Sequence, residues 1–98
     1  MILKCENSYI DLMSVRAYQF RPIELTDSGL VTAITFFMMP KPITVPVTLN
    51  TNDVETARRL QEAIGEELAK LVCKARRKEN GTLEDLRNIV IKAMERLE

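Results

Sequence analysis

The pattern of apolar residues changes near residue 51, and this change constrains the fold more than any other feature. Before it, apolar residues alternate in short segments separated by Pro, Gly, Asn and Ser, which is typical of strands. After it, they recur every three or four residues, which is typical of amphipathic helices. Strands followed by helices predict an α+β fold, and the 98 residues suit a single domain spanning 1–98.

The first half predicts an antiparallel sheet of four or five strands. The segments "ILKCE" and "YIDL" flank Asn7 and Ser8 as a hairpin would. A strand over 14–20 is followed by the turn "TDSG" and by a strand over 30–39 that "PKP" ends. The segment 43–49 alternates cleanly, and Pro46 within it predicts an edge strand or a bulge because proline has no N–H to donate.

The second half predicts two helices, over 53–78 and 83–97. Asn52 or Asp53 caps the first, Asn80 and Gly81 end it, and Thr82 with Asp85 forms a capping box for the second. Each helix has one apolar stripe, so both are expected to pack mainly on one face of the sheet, with Gly65 permitting a close approach. The predicted core consists of Val45, Val47, Leu49, Leu60, Ile64, Leu68, Leu71, Leu86, Ile89 and Val90.

The strand over 30–39 is apolar on both faces, because Phe36, Phe37, Met38 and Met39 are adjacent. Such a strand is expected where both sides of a sheet are covered, yet two single-stripe helices cover only one. The second face therefore needs a curled sheet, a second copy of the chain or a ligand. We predict a homodimer, in which the C-terminal helix could also reach across, and the candidate interface residues are Tyr18, Phe20, Ile34, Phe36 and Met38.

No residue pattern indicates an enzyme. The chain contains no histidine, its two cysteines fit no metal spacing, and its three glycines form no phosphate-binding loop. Neighbouring carboxylates such as Glu66 and Glu67 point in different directions on a helix. We therefore predict no catalytic residue, metal or cofactor. Without a signal-peptide pattern, we expect reduced thiols and a cytoplasmic location.

Function is predicted to be that of a small non-enzymatic interaction or adaptor module. The alternative is a nucleic-acid-binding module in which Tyr18 stacks on bases and cations contact phosphates. The candidate contacts are Arg16, Arg21, Lys74, Arg76, Arg77 and Lys78. Against this alternative, the net charge is zero, and cations late in a helix also complement the helix dipole.

The opening "MILKCENSYIDLMSVRAYQF", with the turn, two alternating strands and amphipathic helix that follow, resembles small uncharacterised bacterial and phage α+β proteins. These proteins have a short hairpin of the form N-x-Y-I, a V-x-A strand, two further strands and a helix. The matching residues here are Asn7, Tyr9, Ile10, Val15 and Ala17. The resemblance covers about two-thirds of the chain and implies the same order of sheet and then helix, with no assigned activity or site.

Overall fold

The computed structural model describes residues 1–77 and 83–97, which form an α+β fold with two sheets and two helices. This confirms the predicted fold class. A 3-10 turn at Leu12–Ser14 follows the second strand. The strands are β1 Ile2–Lys4, β2 Tyr9–Asp11, β3 Ala17–Phe20, β4 Glu24–Thr26, β5 Gly29–Phe37, β6 Ile43–Thr48 and β7 Leu83–Asp85, and the helices are α1 Val54–Arg76 and α2 Leu86–Arg96.

The larger sheet has four antiparallel strands arranged around β5. Strands β3 and β4 pair in succession along one side of β5, and β6 pairs along the other. Pro46 lies opposite Ala33, whose carbonyl accepts a hydrogen bond from the Arg21 amide, on the other side of β5, at 2.8 Å. Because the backbone of Ala33 points to that side, the nitrogen of Pro46 points away from β5 and is not needed for the ladder, and the predicted edge strand is confirmed.

A bulge separates β3 from β4. Arg21 pairs with Ala33 and Glu24 pairs with Val31, so Pro22 and Ile23 together lie opposite Thr32. Two residues facing one is the defining feature of a β-bulge, and proline is tolerated there. The carbonyl of Arg21 accepts hydrogen bonds from the Thr32 hydroxyl at 2.6 Å and from the side-chain amide of Gln61 at 3.2 Å. Helix α1 thus satisfies a backbone group at the bulge.

Helix α1 packs across one face of this sheet. Asp53 caps it by accepting a hydrogen bond from the Thr56 amide at 3.3 Å, as one of the two predicted caps. The Tyr18 hydroxyl donates to the Gly65 carbonyl at 2.9 Å, and a Cβ atom at Gly65 would lie 3.2 Å from the Phe20 ring. Glycine therefore permits the close approach between helix and sheet that the sequence predicted.

The smaller sheet was not predicted. Strand β1 pairs antiparallel with β2, as expected, but also parallel with β7, which the sequence analysis assigned to the start of the second helix. Helix α2 instead begins at Leu86, because Asp85 caps it by accepting a hydrogen bond from the Arg87 amide at 2.9 Å. Asn80, Gly81 and Thr82, which were predicted to end and restart the helices, lie outside the described residues.

The two helices pack against each other and enclose one core with both sheets. Every predicted core residue is buried except Leu71, which is partly buried and packs against the others. The core also contains residues from the N-terminal hairpin, the 3-10 turn and β5 that were not predicted as core, among them Leu3, Ile10, Leu12, Ile34 and Phe36.

Candidate functional site

The residues predicted to form an exposed interface lie under helix α1 instead. Ile34 and Phe36 are 0% exposed, and Tyr18, Phe20 and Met38 are partly buried against the core. The register pairs Tyr18 with Phe36 and Phe20 with Ile34, so these side chains share the face that α1 covers. The placement of Ile34 and Phe36 in a contact with a second copy is therefore wrong, because the chain's own helix fills that face.

The opposite face of the four-stranded sheet is the one that faces solvent. We call it the open sheet face. Phe37 on this face is 38% exposed, Val31 and Ala33 are partly exposed, and most of their neighbours on the adjoining strands are exposed. By register, the open sheet face consists of Ala17, Gln19, Arg21, Glu24, Val31, Ala33, Thr35, Phe37, Thr44, Pro46 and Thr48.

The centre of the open sheet face is uncharged. Val31, Ala33 and Phe37 are the apolar residues of β5 on this face, with Thr35 between Ala33 and Phe37, and Pro46 lies beside Ala33. Thr35 and Thr44 direct their hydroxyls to each other at 3.0 Å, which leaves little need for outside partners. Among the strand positions of this face, charge occurs only at Arg21 and Glu24, which have opposite signs and belong to the bulged edge.

A second surface feature is a cavity of about 600 Å³ between β6 and α2, which we call the β6–α2 groove. Its volume lies within the range of ligand-binding pockets. One wall is the outer edge of β6, and the other is the exposed side of α2 together with the ends of β1 and β7. The lining residues are Lys4, Cys5, Glu6, Pro46, Val47, Thr48, Asn50, Asp85, Leu86, Arg87, Val90, Ile91 and Met94.

The chemistry of this groove does not favour nucleophilic catalysis. Burial of the Cys5 thiol, and to a smaller extent the nearby carboxylate of Asp85, raises its pKa to about 11. The thiol is therefore protonated at neutral pH, and a protonated thiol is a poor nucleophile. Asp85 accepts the capping hydrogen bond from the Arg87 amide and lies 3.7 Å from the Arg87 guanidinium, so this carboxylate already serves as the cap of α2.

The cations proposed for nucleic-acid contacts are divided between two sides of the sheet. Arg21 belongs to the open sheet face, whereas Lys74, Arg76 and Arg77 are exposed at the end of α1 on the other side. Arg16 is exposed just before β3, and Lys78 lies outside the described residues. Tyr18 does not present its ring for stacking, because its hydroxyl is bonded to α1 and its ring contacts Phe36.

The end of α1 also borders a shallower cleft of about 460 Å³ against α2. Lys74 and Arg77 line it with Lys70 and Lys92, and the acids there are Glu67 and Glu84. Glu67 lies 3.4 Å from Lys70 and 3.1 Å from Arg96. This mixture of charges is typical of a solvated helix surface and marks no particular ligand.

Cys5 and Cys73 are both free thiols, as predicted. Within residues 1–77 and 83–97, no three Cys, Asp or Glu side chains lie close enough to share a metal ion. Neither helix, over the part of the chain that the structure describes, combines the length and apolar character needed to cross a membrane. No protein-family model, curated protein or solved structure matches the chain.

Proposed function

We propose that the protein is a small non-enzymatic interaction module that associates with a second copy of itself through the open sheet face. The observation that carries this proposal is the solvent-facing line of Val31, Ala33 and Phe37 along the central strand. A sheet with one wet face ordinarily alternates apolar and polar residues, and β5 does not. The homodimer predicted from the sequence is retained, with the opposite face of the sheet as its interface.

A second copy is the occupant that this surface suits best. Two sheets pack face to face about 10 Å apart when their facing side chains are small or apolar, and Val31, Ala33, Phe37 and Pro46 on the open sheet face are such residues. A two-fold axis presents the same face to itself, so an uncharged centre meets an uncharged centre. Arg21 and Glu24, of opposite sign, remain at the edge, where charged groups belong in an interface.

The size of this face predicts a weak dimer. Strand β5 has nine residues and is about 30 Å long. Three strands side by side are about 14 Å wide, so the flat area of this face is roughly 400 Å². A standard interface buries about 800 Å² on each partner. The dimer is therefore expected to form at high protein concentration and to dissociate on dilution.

The test is the solution mass of the wild type and of Phe37→Glu over a range of protein concentrations, by sedimentation velocity. Phe37→Glu places a charge in the proposed interface and is expected to give a folded monomer at every concentration. Leu25→Glu is the matched control, because Leu25 is 75% exposed, is also apolar and points away from the open sheet face. This control is expected to dimerise like the wild type.

Two results would overturn the proposal. A wild type that stays monomeric at the highest soluble concentration contradicts self-association through any surface. A Phe37→Glu variant that is folded, as judged by circular dichroism, and dimerises as well as Leu25→Glu places the interface elsewhere.

The nucleic-acid alternative receives less support. Its sheet component depended on Tyr18, which is bonded to α1, and its cations do not share one face. Of the remaining cations, Lys74 and Arg76 lie in the last turn of α1 and Arg77 is its C-cap residue, and cations at this end stabilise a helix without any partner. Self-association through the open sheet face is therefore the function that we propose.

A further inference from the structure

The outer edge of β6 carries backbone groups that are not used by the sheet. The Leu49 amide donates to the Leu30 carbonyl at 3.1 Å, so alternate residues of this strand direct their backbone groups toward β5. Pro46 and Thr48 lie at the intervening positions, and their backbone groups point outward. Among the described residues, no hydrogen bond is made to the Thr48 N–H, the Thr48 carbonyl or the Pro46 carbonyl.

These outward groups face a helix that carries apolar side chains without cover. Pro46 and Thr48 line the β6–α2 groove, and on its other wall Ile91 is 51% exposed and Met94 is 38% exposed. Helix α2 packs beside α1, and it lines the groove together with the outer edge of β6. A strand placed next to β6 would therefore lie over the apolar surface of α2, just as β5 lies over the surface of α1.

We infer that the β6–α2 groove binds an extended, uncharged peptide segment of a partner protein by strand addition to β6. Strand addition uses main-chain hydrogen bonds for affinity and alternate side chains for specificity. Thr48 would supply a donor and an acceptor, and Pro46 would supply one acceptor. Peptide side chains on the helix side would contact Ile91 and Met94.

The charges of the groove support an uncharged segment. Its lining contains two cations, Lys4 and Arg87, and two acids, Glu6 and Asp85, so no net charge attracts an acidic or basic peptide. Pro46 also explains why the occupant is not a second β6 strand. A two-fold pairing of β6 with itself about Pro46 would set two prolines opposite each other and lose both central N–H donors.

Pro46 and Thr48 belong to both surfaces, but the groove uses their outward backbone groups together with α2, whereas the proposed dimer depends on the apolar side chains of Val31, Ala33 and Phe37. A variant that loses dimerisation but retains peptide binding, or the reverse, can therefore be distinguished. Phe37→Glu is expected to abolish dimerisation and to leave peptide binding unchanged.

The probe is a phage-displayed library of random linear peptides, selected on the wild type, with the most enriched sequence synthesised and measured by fluorescence anisotropy. Thr48→Pro deletes the outward N–H and leaves the ladder to β5 intact, so binding should weaken about tenfold or more. Thr48→Val is the matched control, since it removes only the hydroxyl and should bind like the wild type. Ile91→Glu should also abolish binding.

A second measurement does not depend on any variant folding. Amide hydrogen exchange of the wild type should show a fast-exchanging Thr48 N–H that becomes protected when the peptide is added. Failure to enrich any peptide would overturn the inference. An enriched peptide that binds Thr48→Pro as tightly as Thr48→Val, or that leaves the exchange of the Thr48 amide unchanged, would overturn it as well.

Discussion

The adjacent residues Phe36 and Phe37 should respond very differently to the same substitution. Phe36 is 0% exposed, so Phe36→Ala removes its full transfer free energy and leaves a cavity, which together lower the free energy of unfolding by about 3–5 kcal/mol. Phe37 is 38% exposed, so its replacement by alanine leaves no enclosed cavity. Phe37→Ala should lose about 60% of a transfer free energy of 1.5–3 kcal/mol, that is, about 1–2 kcal/mol.

The assay is equilibrium urea denaturation followed by far-UV circular dichroism, at a protein concentration low enough to keep the chain monomeric. The free energy of unfolding should depend on urea concentration with the same slope in both variants, so that their urea midpoints compare stability directly. Phe36→Leu is the control that keeps an apolar side chain at the buried site, and it should lower the free energy of unfolding clearly less than Phe36→Ala. Equal losses for the two alanine variants, or a larger loss for Phe37→Ala, would refute the assignment of the two faces of β5.

Two further predictions concern single groups in the core. Because the pKa of Cys5 is raised from 9.0 to about 11 in the folded state, its stabilising contribution is complete below about pH 9 and is lost as the pH rises to 11. The free energy of unfolding should fall by about 2–3 kcal/mol between these pH values. Cys5→Ala should therefore flatten this fall. If the free energy of unfolding of Cys5→Ala depends on pH as it does in the wild type, the burial of the thiol is contradicted. Tyr18→Phe should lower the free energy of unfolding by about 1 kcal/mol, because it removes the hydrogen bond to the Gly65 carbonyl; thermal denaturation showing no loss would argue against that contact.

The order of strands first and helices second, and most of the large apolar core residues of β6 and the helices, could be predicted because they follow from local patterns. The alternation of Val45 and Val47 and the stripe through Leu60, Ile64 and Leu68 each place a buried face without reference to the rest of the chain. Asp53 was foreseen as a helix cap for the same reason, since a cap acts within one turn.

The face of β5 that α1 covers could not be predicted, because both faces are apolar and the local pattern does not distinguish them. Contacts distant in sequence decide it: Tyr18 and Phe20 against Gly65, and Gln61 against the bulge at Arg21. The pairing of β7 with β1 escaped prediction in a similar way. Three residues are too few to show a period, and their partner lies at the other end of the chain.

The two prolines in the larger sheet connect the fold to the proposed function. An exposed strand edge is a general route to association, and Pro22 and Pro46 interrupt one edge each, the first at a bulge and the second in β6. Continuous edge-to-edge pairing of this sheet is therefore disfavoured on both sides. The open sheet face remains as the broad apolar surface for a second copy. On the outer edge of β6, Pro46 separates the outward donor and acceptor pairs of Thr44 and Thr48, and Thr48 is the one that lines the groove, which suits a short peptide and not another sheet.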